Sequence, residues 1–220
     1  MKKEILKLLS ATLKERYKGL SSGHIFQPDK MQIIFENESS LEIRFDTLKA
    51  GIKEKGAFLI SYSLTVNNTE LYQIKQQTGT NTLEHPLLYF GKEMYILPES
   101  MSRHDRYIVC AKVPAEVVIF NIVADFDAFV LPLAAALCKD YALLLPYFDN
   151  KDFLLCLKDA YATAYIAAFL SNSEKWTTEQ LPGLVDKYAE GPLMRFYDYR
   201  KSPDPEQDIA KKITVFFDKK

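Results

Sequence analysis

Glycine is scarce in this sequence, with 8 residues among 220, and histidine (3), cysteine (3) and tryptophan (1) are scarcer still. Few glycines, and no glycine-rich run, exclude a phosphate-cradling loop of the P-loop or dinucleotide-binding kind. Cys110, Cys138 and Cys156 are odd in number, far apart and flanked by apolar neighbours. They make neither a disulfide framework nor a metal knuckle, and read as reduced core cysteines. His24 and His85 each stand near a proline without a Cys/His spacing, and no H-E-x-x-H occurs. An excess of one charge is also missing: 28 basic against 29 acidic side chains leave a net charge of −1. A polyanion binder carries a basic surplus, so nucleic acid is not an expected partner. No charge-free apolar run reaches the ~18 residues of a membrane span, because Asp125, Asp127, Lys139 and Asp140 interrupt the most apolar region. Lys7 likewise interrupts the start as a secretory signal. The expectation is a soluble cytoplasmic protein without a transmembrane segment.

What the chain does have is core material, 48% hydrophobic residues, enough for one α+β domain spanning residues 1–220. Residues 2–18 place Ile5, Leu6, Leu9, Leu13 and Tyr17 on one helical face and Lys3, Lys7, Lys14 and Lys18 opposite, which predicts an amphipathic N-terminal helix. Docked on its own sheet or laid on a membrane surface, such a helix needs the same pattern. Strand alternation follows. Leu41, Ile43 and Phe45 alternate with Glu42, Arg44 and Asp46 after an apolar stretch at 31–36, predicting an antiparallel hairpin. Residues 57–66 alternate likewise, and Asn67-Asn68 offers a turn into a strand at 71–75. Residues 94–97 and 107–112 read as further strands. The β-branched run at 117–123 reads as a buried last strand, with Val118, Phe120, Ile122, Ala124 and Phe126 on one apolar face. The sheet is expected to hold about six or seven strands within residues 31–123.

After Pro132 the period becomes helical, with helices expected at 133–145, from about 149 to 170, at 182–190 and after Asp204-Pro205. These make a layer of about four helices in residues 132–220. A helix, then strands, then helices argues for an antiparallel sheet packed on one face by the helical layer.

Asp125-Phe126-Asp127 is the sharpest candidate for chemistry, two carboxyls inside the most apolar part of the chain. On an extended segment both point to one side, where they share a divalent cation with oxygen ligands, and His104 or Asp105 supplies an acid or base. Alternatively the two acids end the strand and face the N-terminal end of the next helix. The arrangement resembles the nucleophile motif of haloacid dehalogenases and the D-x-D of nucleotide-sugar glycosyltransferases. It departs from the first in Ala128-Phe129, where a hydroxyl residue belongs, and from the second in lacking the nucleotide-binding half. The cluster of Ser102, Arg103, His104, Asp105 and Arg106 is the densest polar stretch, and reads as a charged loop or an anion clamp.

Phe196, Tyr197 and Tyr199 lie between Arg195 and Arg200, a mixture enriched at protein interfaces. With no cofactor motif in view, the functional expectation is a non-enzymatic protein acting by protein–protein contact, as an adaptor, a secretion chaperone-like factor or an immunity-type inhibitor. Its partner is expected to be another protein, with self-association left open and Arg195, Phe196, Tyr197 and Tyr199 as contact residues. The alternative is a metal-dependent transferase or hydrolase built on Asp125 and Asp127.

Overall fold

The computed structural model describes residues 2–20, 23–80, 88–90, 107–138, 140–149, 160–173 and 205–219. In chain order these form α1 (Lys2–Tyr17), β1 (Gly23–Gln27), β2 (Lys30–Ile34), β3 (Ser40–Lys49), β4 (Phe58–Asn67), α2 (Thr69–Thr78), β5 (Leu88–Phe90) and β6 (Ile108–Val109). Then come α3 (Ala115–Asp125), a π-turn (Phe126–Val130), α4 (Leu131–Cys138), α5 (Tyr141–Leu144), a 3₁₀ turn (Leu145–Asp149), α6 (Ala160–Leu170) and α7 (Pro205–Asp218). The fold mixes helix and antiparallel sheet behind an N-terminal helix. The chain divides into two compact units, one of Met1–Val66 with Tyr89–Ala134 and one of Asn67–Leu88 with Ala135–Lys220.

In the first unit the sheet order is β1-β2-β3-β4-β5, with β6 also pairing β4. Antiparallel registers put Met31 opposite Ile43 and Ile33 opposite Leu41, so the apolar sets of β2 and β3 share one face. All four are buried. β4 is buried on both faces, Leu59 and Ser61 as well as Phe58, Ile60, Tyr62, Leu64 and Val66. α1 packs on this unit through Leu9, Leu13 and Tyr17, and contacts β1, β2 and α3. At the centre Phe126 stacks on Phe45 (6.1 Å) and meets Tyr62 edge-on (5.0 Å). In the second unit α6 packs against α2 and α7. Tyr161, Ala164 and Ala168 are buried on α6 as their spacing predicts, and Ile209 and Ile213 are buried on α7. Phe217 of α7 stacks on Phe169 at 4.8 Å.

Three expectations are corrected. The strand read at 71–75 is helix α2, started by Asn68, whose side chain accepts from the Leu71 N–H, and ended by Gly79 at φ 65°. An Asn cap and a left-handed glycine are the signals that outrank the local alternation. β1 was not expected; it pairs with β2 across a turn at Pro28-Asp29. The largest change is at 117–123, which is not a last strand but α3. The helix continues to Cys138, so Pro132 lies inside it instead of opening a helix at 133. A helix satisfies its own backbone whichever side is covered, so a run apolar all round need not be a strand. Pro132 has no N–H and its ring crowds the carbonyl of Ala128. The backbone widens just before it, where the Leu131 N–H reaches back five residues to the Phe126 carbonyl. The strand expected at 94–97 and the helix at 182–190 lie outside the described residues.

By length and composition alone, Ala115–Cys138 is apolar enough to cross a membrane, with mean hydropathy 2.0 over its most apolar window and 44% of that window buried. A core helix of a soluble protein passes the same test.

Candidate functional site

Asp125 and Asp127 sit on a continuous helix, where residues two apart project to roughly opposite sides. The shared side argued from an extended segment is thereby lost. Asp125 is 2% exposed and accepts from the Tyr107 hydroxyl at 2.7 Å. Asp127, in the π-turn, accepts from Arg16 Nε at 3.0 Å and Nη2 at 2.6 Å, and from the Tyr17 hydroxyl at 2.8 Å. The Tyr17 hydroxyl also lies 3.4 Å from the Val123 carbonyl. One acid thus fastens the start of β6, and the other fastens α1. No group of three or more metal-ligating side chains occurs among the described residues. His104, Asp105, Ser102, Arg103 and Arg106, with Arg195, Phe196, Tyr197 and Tyr199, lie outside the described residues. His24 is exposed on β1, its ring 5.3 Å from that of Phe26.

The Asp127 cluster has a pH signature. Burial, then the hydrogen bond to Asp127, pushes the Tyr17 phenol well above its ordinary 10.0. A raised phenol favours the folded state fully below the unfolded value, and that contribution falls as pH rises past it. Unfolding free energy should therefore decline from pH 9 to 11, and Tyr17→Phe should flatten the decline while costing about 1 kcal/mol at neutral pH. Urea titrations at pH 7, 9 and 11 measure both.

The α1 and α3 helices run in the same sense, tied by Arg16 and Tyr17 to Val123 and Asp127, with a groove further towards their N-terminal ends. This groove, about 290 Å³, is lined by Leu8 and Thr12 of α1 and Glu116, Ile119, Phe120 and Val123 of α3. Ile119 is 5% exposed and forms the floor, whereas Phe120 is 71% exposed at the lip. Val117 (46%) and Leu8 (44%) are exposed beside it. Along α3 and its continuation Val117, Phe120, Ala124, Ala128 and Pro132 follow one another at three- and four-residue steps, each at least partly exposed, with Asn121 between Val117 and Ala124 on the same face. That face, apolar apart from Asn121, is about 22 Å long at 1.5 Å per residue. Sequence reasoning placed Phe120 on a buried strand face; the signal it lacked was the helical phase, which turns Phe120 outward and Ile119 and Ile122 inward.

A second, polar cavity of about 670 Å³ is lined by Asp29, Lys30, Arg44, Asp46, Ser61 and Ser63 among others. Its charges balance in sign. Lys30 and Arg44 both hold Glu42, at 2.7 Å each. Burial alone would raise the Glu42 carboxyl, but these two bonds outweigh it and keep the group below the usual carboxylate range. One motif was missed in the sequence: Gly19-Leu20-Ser21-Ser22-Gly23 has the spacing of a nucleophile elbow. It joins a helix to a strand, the reverse of the strand-to-helix turn that chemistry needs. Neither a protein-family model, nor a curated protein, nor a solved structure matches the chain.

Proposed function

We propose that this protein acts by binding another protein, with the outer flank of α3 and its groove against α1 as the contact surface. The observation that carries the reading is Phe120, a large aromatic ring 71% exposed beside exposed Val117 and Leu8. A contiguous apolar surface is costly to leave in water and marks interaction sites on soluble proteins. An aromatic anchor beside an apolar floor, here Ile119 and Val123, has the form of a binding hot spot.

A photo-crosslinking residue placed at Phe120 in cells tests this. The expected result is one discrete protein adduct, at least tenfold weaker when Val117→Asp is added and absent when the crosslinker sits at exposed Lys112 instead. Equal adducts from both positions, or none from 120, would overturn the reading.

A further inference from the structure

β1 is an end strand of the sheet and, among the described residues, pairs with β2 alone. The direction of its main-chain groups follows from their alternation. The Asp29 carbonyl accepts from the Phe45 N–H of β3, so the next residue, Lys30, turns its own N–H and C=O the other way, towards Gln27 of β1. Gln27, Ile25 and Gly23 therefore direct their main chain at β2, and His24 and Phe26 direct theirs away from the sheet. No main-chain bond from another described residue meets those outward groups. Folded proteins blunt such an edge with a charge, a proline or a bulge in the strand, or with an element laid over it. Gly23–Gln27 holds no charged residue and no proline, pairs with β2 in five unbroken steps, and is at least partly exposed at every position. Even α1, which contacts β1, leaves His24 and Ile25 exposed.

We propose that a second copy of this chain docks on this edge, β1 against β1 in antiparallel sense, about a two-fold axis at Ile25. Outward groups bond only with outward groups across the new ladder. With Ile25 opposite Ile25, His24 of each copy faces Phe26 of the other, and each of these pairs exchanges two main-chain bonds. An axis at Phe26 sets His24 against Pro28, which has no N–H to give. An axis at His24 carries Phe26 past Gly23, the first residue of the strand. The side chains agree with the register about Ile25. Gln27 pairs with Lys30, whose ammonium reaches Glu42 on the wet face of the sheet at 2.7 Å. Ile25 shares that face, 40% exposed, and gains an apolar neighbour in its own copy. His24 and Phe26, with ring centroids 5.3 Å apart, stand on the other face, where the two-fold axis joins two such pairs into one row. An uncharged edge meets its copy with no like charges opposed, on a chain of net charge −1, whereas a charged ligand strand finds no counter-charge on β1. Each copy uses β1 once, so the contact is isologous and closes at a dimer. One strand pair buries little surface, which makes this dimer weak and dependent on concentration.

Sedimentation velocity of the full chain over a roughly hundredfold range of concentration tests this, and the sedimentation coefficient should rise towards the dimer value. Ile25→Lys and Ile25→Glu each set like charges face to face at the axis, and each alone should stay monomeric. Mixed in equal amounts the two should regain the dimer, because position 25 meets only itself. Phe120→Asp should leave the dimer unchanged. A second measurement does not need the charged variants to fold: mild oxidation should join two copies of Ile25→Cys, whose facing Cα atoms fall within disulfide reach, but not two copies of Gln27→Cys, which lie well away from the axis. A monomer at every concentration overturns the proposal, as does a dimer that survives both charged variants. Loss in both without recovery on mixing, or equal crosslinking at positions 25 and 27, overturns the two-fold register. Loss in Phe120→Asp overturns it in favour of self-association through the flank of α3.

Discussion

Replacing Phe126 by alanine should lower the unfolding free energy by about 3–5 kcal/mol, whereas the same change at Phe120 should move it by no more than about 0.5 kcal/mol. The two phenylalanines lie six residues apart on one continuous helix, yet Phe126 is 0% exposed and Phe120 is 71% exposed. Phe126 touches Phe45 and Tyr62, and Tyr62 in turn lies 6.0 Å from Tyr107. Truncation there removes the ring that packs on β3 and β4, and opens a cavity among side chains that cannot all close on it. At Phe120 there is little burial to lose, and replacing an exposed ring spares the folded state. Urea unfolding of both variants checks the contrast. A large loss at Phe120 would mean that its ring packs in the fold, and would remove the reason for assigning it to a partner.

The legible parts of the fold were those whose burial follows a simple period. α1 reads correctly because one face is apolar and the other is lysine, and β2 and β3 read correctly because one face is buried and the other wet. The misread elements are those buried on most sides. In Val117 to Val123 both strand and helix give an apolar buried face, and β-branched content favours the strand. The deciding facts are tertiary: Glu116 at the surface, Asp125 beneath Tyr107, and Asp127 on Arg16 and Tyr17. Asp125 and Asp127 leave the helix on different sides, and each finds its own partner.

Asp125 and Asp127 were legible as unusual, but not as separate. Their partners lie 18 residues away for Asp125 and more than 100 for Asp127, distances over which no spacing rule operates. Arg16 carries no local signal that distinguishes it from the other cations of α1.

Asn68→Ala should cost the second unit about 2–4 kcal/mol, more than an ordinary capping loss of about 1 kcal/mol, because this one side chain serves two helices. It is 1% exposed. Its Oδ1 accepts from the Leu71 N–H at 2.9 Å, among the orphan donors at the start of α2. Its Nδ2 donates to the Leu137 carbonyl, in the last turn of α4, and lies 3.2 Å from the Tyr141 hydroxyl. That hydroxyl donates onward to Glu70 Oε2 at 2.6 Å. Alanine therefore leaves a buried donor and a buried acceptor without Asn68, at opposite helix ends. Asn68→Ser keeps an acceptor within reach of α2 but not the donor to Leu137, so it should recover only about 1 kcal/mol. Tyr141→Phe should cost about 1 kcal/mol by releasing Glu70. In the double variant with Asn68→Ala the losses should fall short of additive, because the two side chains share one network. Urea unfolding of the four proteins measures the coupling. Strict additivity would show that Asn68 acts only as a cap for α2.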